Sequence, residues 1–339
     1  MDKPVVYDKP FLSYPQQVER LKTKYRLDIQ NDAFALHALS TISYYDLING
    51  YQECMMVNGV FKPNVSMEYL YMFYLFDKSF QNIVFKYSLF IENSFKTSLA
   101  YILGKNFGVS INEYLDNKNF LYSYKGKVFL YKVKEEIIKG FTKYDKQNHP
   151  YYTQQPTKHY MENHNHLPPW ILMKNVSFGN SINLYKLLKS TDKVEVTSLF
   201  FSASEIRDDE KIQLLTSALD FIRNYRNQIA HNLKFVTYKN HKFRLPTYIT
   251  KKVINNSIIT DNKKDFNDVY SCLLAIYMLL RSSLIKTKFL YDISNVLTDI
   301  PSTHPLYTVQ NQIIKDYIAI TGLPANFREI IALLTPHKI

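Results

Sequence analysis

The sequence predicts an all-α protein, a helical bundle, on three observations. Apolar residues recur every three or four positions over long stretches, which is the period of helices that bury one face. The chain holds only 8 glycines in 339 residues, about a third of the number that average usage of about 7% would give, so few turns interrupt those stretches. Strand signals are weak and local, residues 125–131 being the clearest example, and neither an internal repeat nor a low-complexity tract competes with the helical reading.

Each element follows in order. Ser13-Tyr14-Pro15-Gln16-Gln17 opens a first helix with proline in its first turn, and Val18, Leu21 and Leu27 supply its apolar side. Asn31-Asp32 starts a second, with Ala35, Leu36, Leu39 and Ile42 at helical spacing, ending near Gly50. Residues 67–103 contain neither glycine nor proline and predict one long helix stopping at Gly104. Its apolar positions include Leu75, Ile83, Phe90, Phe95 and Ile102, and its length suits the core of a bundle. Between 141 and 169 the period is lost and Tyr, Gln, Asn, His and Pro dominate, which reads as a polar insertion. Helices resume over 170–176 and 181–189, and another runs from Ser204 to near Asn232. Residues 237–262 read as extended and loop-like. Two further helices, over 265–297 and 310–320, precede Gly322-Leu323-Pro324 and a short terminal helix. The expected organisation is an N-terminal helical region at 1–66, a helical core at 67–233 carrying the insertion at about 141–169, and a C-terminal helical region at 234–339 packed on that core.

Composition removes several function classes. Two cysteines, Cys54 and Cys272, exclude a disulfide framework and any cysteine-based zinc site. Neither GxGxxG nor GxxxxGK[ST] occurs, so the usual glycine loops that cradle phosphates are missing. The start, MDKPVVYDKP, has no apolar core of a signal peptide, and no run of 18 apolar residues exists; a cytoplasmic protein without a membrane partner is expected. His149, His159, His164 and His166 lie close in sequence with Glu162 as the one acid among them, and read as a solvated loop; no metal and no cofactor is expected. Lys+Arg 42 against Asp+Glu 30 leaves a net charge of +12, and aromatics make up 15%. That combination is the footprint of a protein that meets a phosphate backbone. Lys143, Lys146 and Lys158 interleave with Tyr144, Tyr151 and Tyr152 in the insertion, as basic and aromatic residues do in RNA-contacting segments. Trp170 reads as a core residue.

The segment from Asp220 to Asn232 carries the chemistry. On a helical wheel with Ile222 at zero, Leu215, Ala218, Leu219, Tyr225 and Ile229 fall within about 60° of it. Arg226 falls at about 40°, inside the apolar stripe, whereas Asn227 and His231 fall on the opposite face at about 140° and 180°. A cation on a core-facing stripe is costly unless it is paired. Either Arg226 has a carboxylate partner, or the helix is distorted or opens a cleft near Ala230.

Arg226-Asn227-Gln228-Ile229-Ala230-His231 resembles the Rx4–6H signature of HEPN-domain endoribonucleases. Further blocks resemble the Abi-like (AbiD/AbiF-type) abortive-infection proteins, in the expected order. They are Lys9-Pro10-Phe11-Leu12, Ile42-Ser43-Tyr44-Tyr45, Tyr74-Leu75-Phe76-Asp77, Ile91-Glu92-Asn93-Ser94-Phe95-Lys96, Pro169-Trp170 with Ser177-Phe178-Gly179, and Gly322-Leu323-Pro324. Glu92 and Lys96 also resemble an ExxxK motif of some HEPN families; Thr97 and Asp46 depart from the pattern. The resemblance implies a HEPN-type bundle elaborated at both ends, and a metal-independent endoribonuclease that acts as a toxin in phage defence. It implies that His231 transfers protons, Arg226 meets the phosphate, Asn227 positions phosphate or imidazole, and Glu92 holds Arg226 or lies beside it. Arg223, one turn earlier, and Lys96 become RNA-binding candidates. The partners implied are RNA and a second copy of the chain, two His231 residues facing one cleft. The alternative is a non-cleaving protein that binds a structured non-coding RNA.

Overall fold

Backbone capping sets where the first helices begin. The computed structural model describes residues 8–121, 124–201, 206–254 and 265–334. Helix α1 spans Tyr14–Thr23, and the Ser13 N–H donates to Gln16 Oε1 at 2.9 Å, satisfying a donor that a helix start leaves free. Helix α2 spans Asp32–Thr41, with the Asn31 side chain accepting from the Phe34 N–H at 3.0 Å. It does not reach Gly50. Ile42 turns extended at ψ 129°, and Ser43 Oγ caps a new start by accepting from the Asp46 N–H. A π-helical turn over Tyr45–Asn49 then leads to Gly50, where a Cβ would collide with the Asp46 carbonyl. After α3 (Gln52–Met55), β1 (Met56–Val57) and β2 (Val60–Phe61) form a hairpin turned by Asn58-Gly59, both at positive φ.

The long helix is longer than its sequence suggests: α4 spans Met67–Phe107 and passes through Gly104. One glycine inside a long helix costs about 1 kcal/mol against alanine, too little to end it. The stop comes at Gly108, whose φ of 103° a side chain would resist. Helix α5 (Ile111–Tyr114) follows, and α6 (Tyr124–Lys139) occupies the stretch that carried the strand signal. Leu130, Val133 and Ile137 are its buried positions, at helical and not alternating spacing. The polar insertion is ordered locally, by the hairpin of β3 (Thr142–Tyr144) and β4 (Pro150–Tyr152) and by α7 (Thr157–Asn163).

Helices α8 (Pro169–Asn175), α9 (Phe178–Leu187) and α10 (Ser190–Ser198) precede α11 (Asp208–Ala230); the expected start at Ser204 lies outside the described residues. Within the region read as a loop, α12 spans Thr247–Val253, and residues 255–264 lie outside those described. The single helix expected over 265–297 is two, α13 (Val269–Leu279) and α14 (Ser283–Val296). Leu280 is extended, Arg281 turns aside to donate to Ser98 Oγ at 3.1 Å, and Ser282 caps the new start. Helix α15 (Tyr307–Thr321) ends at Gly322 in the left-handed region, φ 73°, before α16 (Phe327–Leu334). The fold is therefore all-α, its only sheets among the described residues being the two hairpins. No helix among the described residues is long and apolar enough to cross a membrane.

Two compact units divide these elements. The first holds the described residues up to Asn82 with Gln228–Tyr238 and Ile293–Ala325. Helix α1 packs on α2 there, and Phe73, Phe80 and Tyr317 form an aromatic core. Inside that core sits Asp77, 2% exposed, accepting from Tyr51 Oη at 2.9 Å, Gln81 Nε2 at 2.7 Å and Tyr317 Oη at 3.0 Å. The second unit holds Ile83–Asn227 and Lys239–Asp292 with the described residues from Asn326. Its core gathers Phe95, Phe178 and Tyr185 with Phe221 and Tyr225 of α11 and the almost wholly buried α13.

Burial pushes the Asp77 carboxyl up to about 6, although its three donors oppose the shift. The folded chain therefore keeps this proton at pH values where the unfolded chain has released it. Between about pH 4 and 6 the folded state binds more protons, so the Asp77 contribution favours folding at acid pH and is lost as pH rises through 6. Urea midpoints at pH 5 and pH 7 check this. The wild type should gain about 1 kcal/mol on going from pH 7 to pH 5 relative to Asp77→Asn, and an equal pH dependence in both proteins would contradict it.

Candidate functional site

Arg226 has the carboxylate that its place on the apolar stripe requires. Its Nη2 donates to Glu92 Oε2 at 2.9 Å, and Lys96 Nζ lies 2.6 Å from Glu92 Oε1. Helix α4 presents Glu92 and Lys96 one turn apart, while α11 presents Asp220, Arg223 and Arg226 at three-residue spacing. One carboxylate thus answers two cations and the trio keeps a charge of about +1. All three side chains are mostly buried, so their attraction is screened less than at a surface.

The guanidinium is poised and incompletely used. It stands 5.9 Å from the Phe178 ring centroid, and its Nε is buried with no hydrogen-bond partner among the described residues. Arg223 repeats the pattern. Its Nη2 lies 3.6 Å from Asp220 Oδ1, its Nε is likewise buried and unpartnered, and its Nη1 would stand 3.1 Å from a Cβ at Gly179. Glycine at 179 leaves that guanidinium room. Lys186 holds the other Asp220 oxygen.

His231 occupies the first position beyond α11, which ends at Ala230, and is exposed. Asn232 follows in the left-handed region, φ 53°, which asparagine tolerates better than most residues. Its Oδ1 accepts from Lys78, which also donates to Gln81 Oε1 at 3.0 Å and lies 5.2 Å from the Tyr74 ring centroid. Burial lowers the Lys78 pKa. These residues, with Tyr45 and Lys234, line a cleft of about 210 Å³ in the first unit. Sequence reading did not single out Lys78, one of several charged residues along α4. Asn227 is half-buried on α11.

The structure brings Glu92, Lys96, Arg226 and Arg223 together in the second unit. Lys143 on β3, Lys146 in the hairpin turn and Lys158 on α7 are exposed elsewhere in that unit; Lys158 lies 3.9 Å from Glu162. Among the described residues no group of three or more His, Cys, Asp or Glu side chains is placed to hold a metal ion. The rings of His159 and His164 pack instead on Tyr160.

An all-α chain whose central helices share an arginine–glutamate–lysine centre defines the class. The chain matches the family described as Abi-like protein over residues 37–237, more than half its length, and belongs to that family of abortive-infection, phage-defence proteins. No curated protein and no solved structure matches it.

Removing the carboxylate tests the centre. Glu92→Ala should lower the unfolding free energy by about 1–3 kcal/mol, because two mostly buried cations lose their shared acceptor. Glu92→Gln, which keeps one acceptor oxygen, should cost less. Urea denaturation orders the two variants.

Proposed function

We propose that this protein is a metal-independent endoribonuclease of HEPN type that works as a toxin in phage defence by cleaving RNA. The observation that carries the reading is the Arg226–Glu92 pair, with unused guanidinium N–H groups, five residues before an exposed histidine at the end of the same helix. Those groups supply what transphosphorylation of RNA needs. A base removes the ribose 2′-OH proton, the 2′ oxygen attacks phosphorus, and the bond from phosphorus to the 5′ oxygen breaks as an acid returns a proton to that oxygen. Imidazole serves both roles near neutral pH. Guanidinium, planar and permanently charged, matches the phosphorane oxygens. Glu92 holds Arg226 in place and Lys96 balances Glu92.

Each chain brings one such histidine, while the reaction uses a base and an acid. Two protomers contributing His231 to one cleft meet that need, and a homodimer is part of the proposal. Asn227 positions phosphate or imidazole, and Arg223 with Lys143, Lys146 and Lys158 adds phosphate contacts. A second reading, binding of a structured RNA without cleavage, is supported by the net charge of +12.

Cleavage should persist in EDTA and leave 2′,3′-cyclic phosphate and 5′-OH ends. His231→Ala and Arg226→Ala should each lower the rate by about 10²-fold or more. A 3′-OH product or strict magnesium dependence would overturn the mechanism, and RNA binding with no cleavage by the wild type would favour the second reading. Light scattering should report a dimer; a fully active monomer contradicts the shared cleft.

A further inference from the structure

The single tryptophan of the chain is not a core residue. Trp170 opens α8 with its side chain 49% exposed, and it borders a cleft of about 390 Å³ in the second unit, a volume within the range of small-ligand sites. Helix α4 forms the opposite wall with Leu89, Asn93 and Lys96, and Lys174, one turn beyond Trp170, stands at the edge. Leu89 is also exposed, at 45%, so an apolar wall and a wide aromatic ring both face water. Lys174 is exposed and has no ion-pair partner among the described residues. Glu92 is the one acid lining this cleft, and Lys96 and Arg226 already neutralise it. The cleft is therefore an apolar slot with a net positive rim.

We propose that this slot takes one unstacked nucleobase of single-stranded RNA, with Trp170 as the stacking platform and Lys174 on the adjacent phosphate. The proposal rests on the reading that RNA is the substrate, and deepens it by naming a subsite beside Glu92. Flat apolar face and negative charge arrive together in a nucleotide, which is the pairing this slot offers. A second copy of the chain fits this slot less well, because an apolar protein surface would bury Lys174 without an acceptor. The Asn93 amide, exposed on the rim, can donate to or accept from the edge of the base.

Because Trp170 is the only tryptophan, its fluorescence reports the slot directly. The probe is a mixed-sequence single strand of about 10 nucleotides with 2′-O-methyl riboses, which cannot be cleaved. Titrating it into the wild type should quench tryptophan emission with the same Kd that anisotropy of the labelled strand reports. Trp170→Ala should weaken binding about 5- to 100-fold, Trp170→Phe should retain most of the affinity, and Lys174→Ala should reduce the slope of log K against log[salt] by about 0.7. Circular dichroism checks that each variant is folded, and Trp170→Phe preserves the packing should alanine not. Binding with unchanged emission and with wild-type affinity in both Trp170 variants would overturn the subsite while leaving the nuclease reading intact. A change of oligomeric state in Trp170→Ala at unaltered RNA affinity would overturn it in favour of a protein-docking face. Absence of any RNA binding by the wild type would overturn both.

Discussion

A guanidinium on the buried stripe of α11 is the constraint from which the second unit follows. Arg226 lies on the side of α11 that carries Ile222 and Tyr225, both fully buried. A charge in that position has to meet a counter-charge brought by another helix. Glu92 of α4 is that group, and a carboxylate has two oxygens, so Lys96 takes the second. The pairing sets the register between α4 and α11 in this unit, because sliding either helix by one residue turns one partner away by about 100°. A buried ion pair contributes little net stability over an apolar replacement, whereas losing one partner is expensive. The arrangement selects one geometry more than it strengthens the fold.

The first unit solves a similar problem with neutral donors. Asp77 is buried without a cation at ion-pairing distance among the described residues, and two tyrosine hydroxyls and an amide supply its hydrogen bonds. Donors of that kind favour the charged form less than an arginine would, so burial prevails and the proton is held to higher pH. Lys78, the next residue along α4, points to the opposite need. Its two acceptors are side-chain amide oxygens, one of them on Asn232, and this ties the turn that carries His231 to α4 within the unit. An exposed histidine on an anchored turn stays reachable while its backbone is held.

Helix periodicity was legible because it needs only local information. The Ser13 and Asn31 starts, the unbroken run of α4 and the stripe of α11 all appear where spacing and capping chemistry place them. That Arg226 needs either a carboxylate or a distorted helix with a cleft was legible for the same reason, since it follows from one wheel and the cost of a buried charge. The errors share a cause. Residues 125–131 look strand-like because Val, Phe and Tyr favour extended backbone in isolation; contact of Leu130, Val133 and Ile137 with the core overrides that preference. Gly104 resembles a stop, yet the helix continues, since the hydrogen-bonded ladder on both sides outweighs one glycine. The break between α13 and α14 has no glycine or proline to announce it, and coincides with Arg281 reaching Ser98, 183 residues away in the chain.

What the sequence by itself determined is the class of fold, the starts of the first helices, the charge balance and the presence of a basic, histidine-ended motif on one helix. Those properties are sums over neighbours in the chain. Tertiary structure alone decided the geometry in which Glu92 meets Arg226, that two Nε atoms remain buried and unpartnered, and that Trp170 faces water beside Lys96 and Lys174. Each of these is a relation between helices far apart in sequence. A tryptophan reads as core from its hydrophobicity, but whether a given face is covered depends on which helix packs there, and no local pattern carries that information.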